Sequence, residues 1–379
     1  MRDPSRHILF LATEYAAGMR PYASAIIHAL WQDGDQAVIV TKCDDYKQDF
    51  ADLPAGSVTW IDYPTTLLGK AMFRLRPTRL IKAIERLIAE TDINLIYSLT
   101  EELVLASSIN RLQRQCPVLY TVHDATHHDV KFNSLIDRAK DFVLMARPQR
   151  LMLQRTRHIV TNSHDQLDHI RSHYPDHGVY YAPFPTLVND AIAQGSGRVH
   201  ELEGVEDGYI LFFGNLHLYK GVHLLYNAYL SHPELQDRAL VIAGSKDIYF
   251  ERHEQQAGNH IIFINRFIDD CEVHDLFARA AVVVYPYISA TQSGVTSIAS
   301  YFGKPMVLSD LPFFKHTCEG FQGIEFFPAG DSQALAEAIT RSLQSPADTT
   351  ELYTRQYSPQ ALTASLSAII NQLTSPMIE

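Results

Sequence analysis

Residues 209–221 read YILFFGNLHLYKG, and the way this apolar run breaks at a glycine decides how the chain is built. The apolar and aromatic residues before Gly214 predict a short buried strand. Lys220 and Gly221 then lead into a helix expected over 222–231. A glycine after a strand lets backbone approach a ligand closely. The N-terminus of the following helix favours an anion, and Lys220 adds a mobile positive charge. These are the parts of a phosphate site; the plainer alternative is a surface lysine at a helix start. Residues 286–305, PYISATQSGVTSIASYFGKP, hold a second such passage. A strand over 282–285 runs into a loop of small polar residues, and a helix begins near Val295. Backbone N–H groups of Ser293, Gly294 and Val295 would point outward there and can hold a diphosphate without a metal. The alternative is an ordinary helix with Ser293 as its N-cap.

Outward from these two passages the chain alternates. Strands are expected at 7–12, 36–41, 94–98, 117–122, 158–161 and 178–181. Helices are expected at 20–32, 80–90, 103–115, 146–155 and 165–173. The pattern then restarts, with strands at 209–213, 239–243, 260–263, 282–285, 305–308 and 323–327. Its helices fall at 222–231, 272–280, 296–302 and 332–344. Alternation of this kind implies α/β architecture, a parallel sheet wound on both faces in each half. Residues 188–207 contain Gly195, Ser196 and Gly197 among charged residues and read as a linker. The expected organisation is therefore a domain at 1–187, a linker at 188–207 and a second domain at 208–356. A tail at 357–379 follows, its helix carrying Leu362, Leu366, Ile369, Ile370 and Leu373 at helical spacing. In two-domain folds of this kind such a helix often crosses back to the first domain, where it would act as a hinge. Two doubly wound halves would leave a cleft outside their strand carboxyl ends, where ligands bind in such sheets.

The bulk numbers limit the function classes. The 379 residues are 46% hydrophobic and 20% charged, enough for two cores. The net charge of -11 is uneven, -1 over residues 1–190 and -10 over 191–379, which suggests different partners for the two halves. An acidic chain without a broad basic face argues against nucleic acid. The apolar run from Ile8 to Ala12 stops at Glu14, unlike a signal peptide. No stretch approaches the roughly 20 apolar residues of a membrane span. Cys43, Cys116, Cys271 and Cys318 are scattered, which fits reduced thiols and a cytoplasmic location.

Taken together, the two glycine-bearing passages resemble the C-terminal domain of the family-four-type, group 1 glycosyltransferases of GT-B fold. That family's pattern runs from a strand into Gly-Arg-Leu, three residues and Lys-Gly, and much later from a Glu-rich loop into Gly-x-Pro-Val. Gly214, Leu216, Lys220 and Gly221 match the first part; Gly303, Lys304, Pro305 and Val307 match the last. Asn265, Arg266, Phe267 and Ile268, with Glu272 and Phe277, resemble the stretch that cradles the nucleotide base. In the first half, Thr121-Val122-His123-Asp124 resembles the Val-His-Asp that borders the donor sugar. Gly18, followed by Met19, stands where the family keeps a glycine-bearing acceptor loop. Two departures stand out. The family arginine is Asn215 here, and the two positions of its Glu-x7-Glu pair fall on Ala290 and Ile298. Gln292, Ser293 and Thr296 are left to meet the sugar and phosphates.

The resemblance implies two Rossmann-like domains facing each other across a cleft. It implies retaining transfer of a sugar from a nucleotide-diphosphate donor to a hydroxyl of a glycan or lipid-linked acceptor, without a metal or other cofactor. Lys220 and the helix start would stabilise the leaving diphosphate, and His123, beside Asp124, would orient the donor sugar or acceptor. Bacterial polysaccharide or cell-envelope glycan assembly is the implied setting. Two further readings stand beside this one, the first of them motivated by the altered acidic positions. One is a degenerate relative that binds nucleotide-sugar or glycan, or scaffolds a partner, without turnover. The other is a different enzyme on the same fold, such as a sugar-nucleotide epimerase or a metal hydrolase.

Two local clusters complete the reading. Residues 123–129, HDATHHD, could suggest a metal, but they are one cluster in one loop, whereas metal sites draw ligands from several elements; no metal is expected. In residues 67–86, Lys70, Arg74, Arg76, Arg79, Lys82 and Arg86 interleave with apolar residues against a single acid, Glu85. This segment either sits on an anionic membrane surface, giving a peripheral location at the inner membrane, or is a solvated helix packed on the sheet.

Overall fold

The first strand, β1 (Ile8–Tyr15), divides its side chains between two cores. Leu9 and Leu11 enter one hydrophobic cluster, while Ile8, Phe10 and Ala12 enter the other. Successive strand residues point to opposite faces, so a strand that is apolar throughout needs cover on both sides. The computed structural model, which describes residues 6–16, 18–100, 102–125, 142–252, 260–290 and 293–374, supplies that cover twice.

The chain divides into two compact units, residues 1–185 with 359–379, and residues 186–358. In the first, β1 is joined by β2 (Gln36–Thr41), β3 (Val58–Asp62), β4 (Leu95–Ser98), β5 (Val118–Val122), β6 (His158–Thr161) and β7 (Gly178–Tyr181). They form one seven-stranded sheet in the order β3-β2-β1-β4-β5-β6-β7, each adjacent pair parallel. The second unit holds β8 (Tyr209–Phe213), β9 (Leu240–Ala243), β10 (Ile261–Ile264), β11 (Ala280–Tyr285), β12 (Met306–Ser309) and β13 (Ile324–Phe327). Its order is β10-β9-β8-β11-β12-β13, again parallel throughout. Each sheet reverses its winding once, between β1 and β4 and between β8 and β11. Loops leaving such a switch point diverge and open a crevice at the strand carboxyl ends.

The helix Pro359–Thr374 belongs to the first unit. It buries Leu362, Leu366, Ile369 and Ile370 in the same cluster as Tyr22, Ile26, Ile27 and Leu30 of the helix Met19–Leu30. The Thr363 hydroxyl donates to the Ala29 carbonyl at 3.1 Å.

Several elements differ from the sequence expectation. The strand Val58–Asp62 and the helix Pro312–Cys318 are additional to it, and residues 67–86, read as one segment, are split between two helices, Leu67–Leu75 and Thr78–Glu90. β3 is an edge strand with half-buried residues, so its alternation is weak. The helix expected over 103–115 is a tight turn, Leu103–Leu105, and a short helix, Ile109–Leu112, interrupted at Ser107 and Ser108. Serine favours such breaks because its hydroxyl competes with the helical hydrogen bonds. The stretch expected as a linker, 188–207, is packed into the second unit. Asn189 caps the helix Asp190–Ala193 through its side chain. A Cβ on Gly195 would lie 2.4 Å from the Cys271 carbonyl oxygen, so this glycine serves close packing against the helix Asp270–Ala278. The Val199 N–H donates to Asp275 at 3.0 Å.

Leu366 is fully buried. Leu366→Ala should cost about 2–5 kcal/mol of stability, the usual range for an emptied leucine site. Chemical denaturation followed by tryptophan fluorescence checks this, since both tryptophans, Trp31 and Trp60, pack against the same cluster.

Candidate functional site

The switch point of the second sheet lies between β8 and β11, whose exits are the two passages that drew attention in the sequence. Gly214 has φ +137, and a Cβ there would sit 2.6 Å from Lys220 Nζ. A larger residue would take the place of the ammonium. Gly221 has φ +64, and a Cβ on it would sit 1.9 Å from the Pro286 carbonyl oxygen. Only glycine permits that crossing. The Tyr219 carbonyl accepts the Ile288 N–H at 2.7 Å, tying the β8 loop to the exit of β11. On the other side, a Cβ on Gly244 would lie 2.0 Å from the Gly214 carbonyl oxygen. Asn215 Oδ1 accepts from the Ser245 hydroxyl at 2.5 Å, so it fastens the β9 loop where the family carries a positive charge.

These contacts bury Lys220, which is 8% exposed. Among the described residues no carboxylate pairs with it. Its Nζ lies 5.3 Å from the centre of the Tyr287 ring, a cation–π contact. Burial pulls its pKa below the ordinary lysine range, opposed by neighbouring Tyr219. Tyr287 is 1% exposed, and its ring packs against Tyr219, Tyr285 and Phe314. Its hydroxyl lies beside Ser293 without forming a hydrogen bond of good geometry, and burial pushes its pKa up. A buried polar group with no partner costs about 1–3 kcal/mol, and a buried charge more. Two such groups on neighbouring side chains at a switch point favour an anion: one bound phosphate group could satisfy both. His217 stacks on Tyr219 at 5.8 Å, its pKa lowered by burial and then by the charges of Lys220 and Lys246.

The helix after β11, Val295–Tyr301, starts at Gly294 with no side-chain cap, so Ser293 is not its N-cap. The Ser297 hydroxyl instead donates to the Gly294 carbonyl at 2.6 Å and accepts the Leu187 N–H at 3.1 Å. Thr296 was expected to meet the donor through its side chain. It is buried instead, its hydroxyl 2.7 Å from that of Tyr357. Ile298 packs in the core and Ala290 is half-buried. Gln292 lies outside the described residues.

Arg266, expected at the donor, forks between two carboxylates: Nε lies 2.8 Å from Glu201 and Nη1 2.7 Å from Glu272. Those hydrogen bonds hold its pKa well above the arginine value, and its charge is spent locally. Glu272 also completes a capping box with Asp269 on the helix Asp270–Ala278. Ile268 is buried, whereas the Phe267 ring is exposed beside it and open to a planar ligand.

In the first unit, the switch point lies between β1 and β4. His123, at the end of β5, is buried, and its Nε2 lies 2.9 Å from the Leu99 carbonyl. A carbonyl only accepts, so Nε2 carries the proton. The ring meets Tyr22 edge-on at 4.7 Å, and burial lowers its pKa, favouring the neutral form. Asp124 is half-buried, its carbonyl accepting from Gln149 at 2.7 Å. Gly18 leads into the helix Met19–Leu30 with ordinary helical φ, and a Cβ there would meet nothing within 4 Å. Met19 is half-buried.

Sequence reasoning missed Tyr287 and Glu102. Glu102 is fully buried with φ +47, a strained conformation for a residue with a side chain. Its carboxylate accepts the N–H groups of Thr13 at 3.1 Å and Thr100 at 3.2 Å, and the Thr100 hydroxyl at 2.7 Å. It thus ties the exit of β1 to that of β4. Burial raises its pKa, opposed by those hydrogen bonds. Neither residue belongs to a motif; each signals only by where the fold puts it. Among the described residues no group of three His, Cys, Asp or Glu is placed to hold a metal ion. Residues 126–129 of the histidine-rich run lie outside them.

Two parallel, doubly wound units, each with one switch point at its strand carboxyl ends, are the architecture of GT-B proteins. Residues 207–345 match the family model described as "Glycosyl transferases group 1", and residues 17–180 match the "Glycosyl transferase 4-like domain". The O-antigen chain mannosyltransferase C of Escherichia coli is 28% identical over 171 residues, which are 41% of this chain and 43% of that protein. Less than half of that relative is therefore matched. Among solved structures, HepE of Anabaena in complex with UDP superposes with a TM-score of 0.67 at 16% identity, over 97% of this chain and 100% of that one. The sucrose-phosphate synthase of Thermosynechococcus elongatus gives 0.67 at 18% identity, over 97% and 99%. At such identities the structural likeness speaks for the fold. With both halves matched by glycosyltransferase models, the chain belongs to the group 1 glycosyltransferases of GT-B fold.

If the Tyr287 hydroxyl is unsatisfied in the unliganded protein, Tyr287→Phe should leave the melting temperature unchanged or raise it, since only an unpaired polar group is removed. A clear drop in a thermal melt would show that the hydroxyl has a structural partner.

Proposed function

We propose that this protein moves a sugar from a nucleotide-diphosphate donor to a hydroxyl acceptor with retention, without a metal, in bacterial polysaccharide or cell-envelope glycan assembly. The observation that carries this reading is Lys220, buried beside the Tyr287 hydroxyl at the switch point of a group 1 glycosyltransferase domain, the one with no counter-ion and the other with no well-formed hydrogen bond among the described residues. The donor diphosphate sits against Lys220, Tyr287 and the backbone N–H groups of Ser293, Gly294 and Val295. Phe267 takes the base. The bond between the sugar anomeric carbon and the diphosphate oxygen breaks, and the acceptor oxygen bonds the same carbon from the same face. The departing phosphate oxygen takes the acceptor proton, so the protein supplies charge stabilisation rather than a general base. His123, Asp124, Gly18 and Met19 serve the sugar and acceptor, a glycan or lipid-linked glycan. The UDP bound by HepE and the O-antigen role of the mannosyltransferase relative support this donor class and setting.

A thermal-shift screen against UDP, GDP and ADP and their sugar conjugates, with and without EDTA, tests the donor class. Ligand at a hundredfold excess over Kd stabilises by about 2.7 kcal/mol. One nucleotide family should raise the melting temperature equally in EDTA; a shift abolished by EDTA counts against the metal-free scheme. Lys220→Ala should lower kcat by about 100–1,000-fold, the size of losing one preorganised donor to a developing anion. Tyr287→Phe should lower it by about 3–10-fold. Wild-type kinetics in both variants would remove the pocket from the mechanism.

The lowered Lys220 pKa adds a pH test. Lys220 must be protonated to bind the diphosphate, so affinity is full below its pKa and falls as pH rises through it. The fall should come below the ordinary lysine range, at pH values where the diphosphate is already fully ionised, and vanish in Lys220→Ala. Calorimetric titration of the matching nucleoside diphosphate across this range reads it.

Ala290 and Ile298, standing where the family carries acids, favour one second reading: a relative that binds the nucleotide-sugar without turnover. A nucleotide-dependent thermal shift, with no transfer to any envelope glycan acceptor tried, would select it.

A further inference from the structure

The helix Leu67–Leu75 in the first unit is inside out. At 100° per residue, Leu67, Leu68, Ala71, Met72 and Leu75 fall within about 140° of one face. That face is turned to solvent: Leu67 is 87% exposed, Leu68 75%, Met72 52% and Leu75 59%. Phe73, on the opposite side, is the residue this helix buries. The next helix, Thr78–Glu90, does the reverse, burying Leu80, Ile81 and Ile84 and leaving Arg79, Lys82 and Arg86 outside. The segment singled out in the sequence thus splits into a helix packed on the sheet in the ordinary way and a helix whose apolar face is unpartnered.

A contiguous exposed apolar face marks an interaction surface, and the neighbouring charges select what covers it. Lys70 and Arg74 flank the face on one side, and neither has a carboxylate partner among the described residues. Phe142 and Val143 are also exposed. Val143 and Leu75 line one cavity of about 230 Å³ together with Arg74 and Arg147, where Glu14 is the single acid among the described residues. A chain of net charge -11 therefore carries, at this place, leucines bordered on one side by cations. Long basic side chains at the border of an apolar face can lay their stems along it and reach anionic headgroups.

We infer that the Leu67–Leu75 helix is a docking surface for an anionic lipid bilayer. Leu67, Leu68, Met72 and Leu75 enter the boundary between headgroups and acyl chains, and Lys70, Arg74 and Arg147 meet lipid phosphates. Among the described residues no helix is long and apolar enough to cross a membrane. The inference stands on exposure and charge and holds whatever sugar the protein transfers; with a lipid-linked acceptor it would bring the first unit to its substrate.

The test is co-sedimentation of the full chain with vesicles of phosphatidylcholine, alone or with one third phosphatidylglycerol, at low and high salt. The wild type should pellet with the anionic vesicles, weakly with the neutral ones, and less as salt rises. Leu67→Ser with Leu68→Ser should lower the partition coefficient about tenfold or more, and Lys70→Gln with Arg74→Gln should abolish the anionic preference. Both double variants should keep the wild-type melting temperature, because the replaced side chains are exposed or border solvent. Failure of the wild type to bind anionic vesicles overturns the inference, as does equal binding by the Leu67→Ser, Leu68→Ser variant. Self-association of the wild type without vesicle binding, lost in that variant, would show the face to be an interface between copies of this chain.

Discussion

The second unit is organised around the crossing of Gly221 over the Pro286 carbonyl. That approach, impossible for any residue with a Cβ, draws the exit of β8 against the exit of β11 and folds Lys220 inward between them. Gly214 leaves the space its ammonium fills, and Gly244 lets the β9 loop close from the other side. The result is a lysine held where water is scarce and where no acid among the described residues answers it. Such a charge is costly in the empty protein and correspondingly effective toward an incoming anion, because its reorganisation has been done by folding.

The first unit uses a carboxylate for the equivalent task. Glu102 sits at the switch point of its own sheet in a left-handed conformation, its oxygens tied to the ends of β1 and β4. It fixes the loop that leads to Gly18, as the glycines fix the loop that leads to Lys220. His123, held by the Leu99 carbonyl and the Tyr22 ring, stitches the same region from β5. Its buried environment gives it a positional role.

Charge placement separates the residues that resemblance alone would group together. Arg266 and Lys220 both sit in family motifs of the donor half. Arg266 is neutralised by Glu201 and Glu272 and holds structure, whereas Lys220 is buried with no carboxylate paired to it among the described residues. Thr296 is likewise turned into the core toward Tyr357, while Tyr287, which no motif marks, stands next to the lysine.

The sequence by itself determined the architecture. Strands such as ILFLA and YILFF are apolar on both faces, and recur between helices at a spacing only doubly covered parallel sheets satisfy. It also marked the two loops that leave β8 and β11 beside the switch point, because glycine after a strand and lysine before a helix are local signals. It misread 188–207 as a linker, since glycines needed for contact with Cys271 look like glycines needed for flexibility. Which polar groups would be left without partners, and which apolar face would be left uncovered, were decided only by the tertiary structure. Burial of Tyr287, pairing of Arg266 and the outward turn of Leu67 and Leu68 depend on neighbours far away in the chain. Local composition carries no record of those distances.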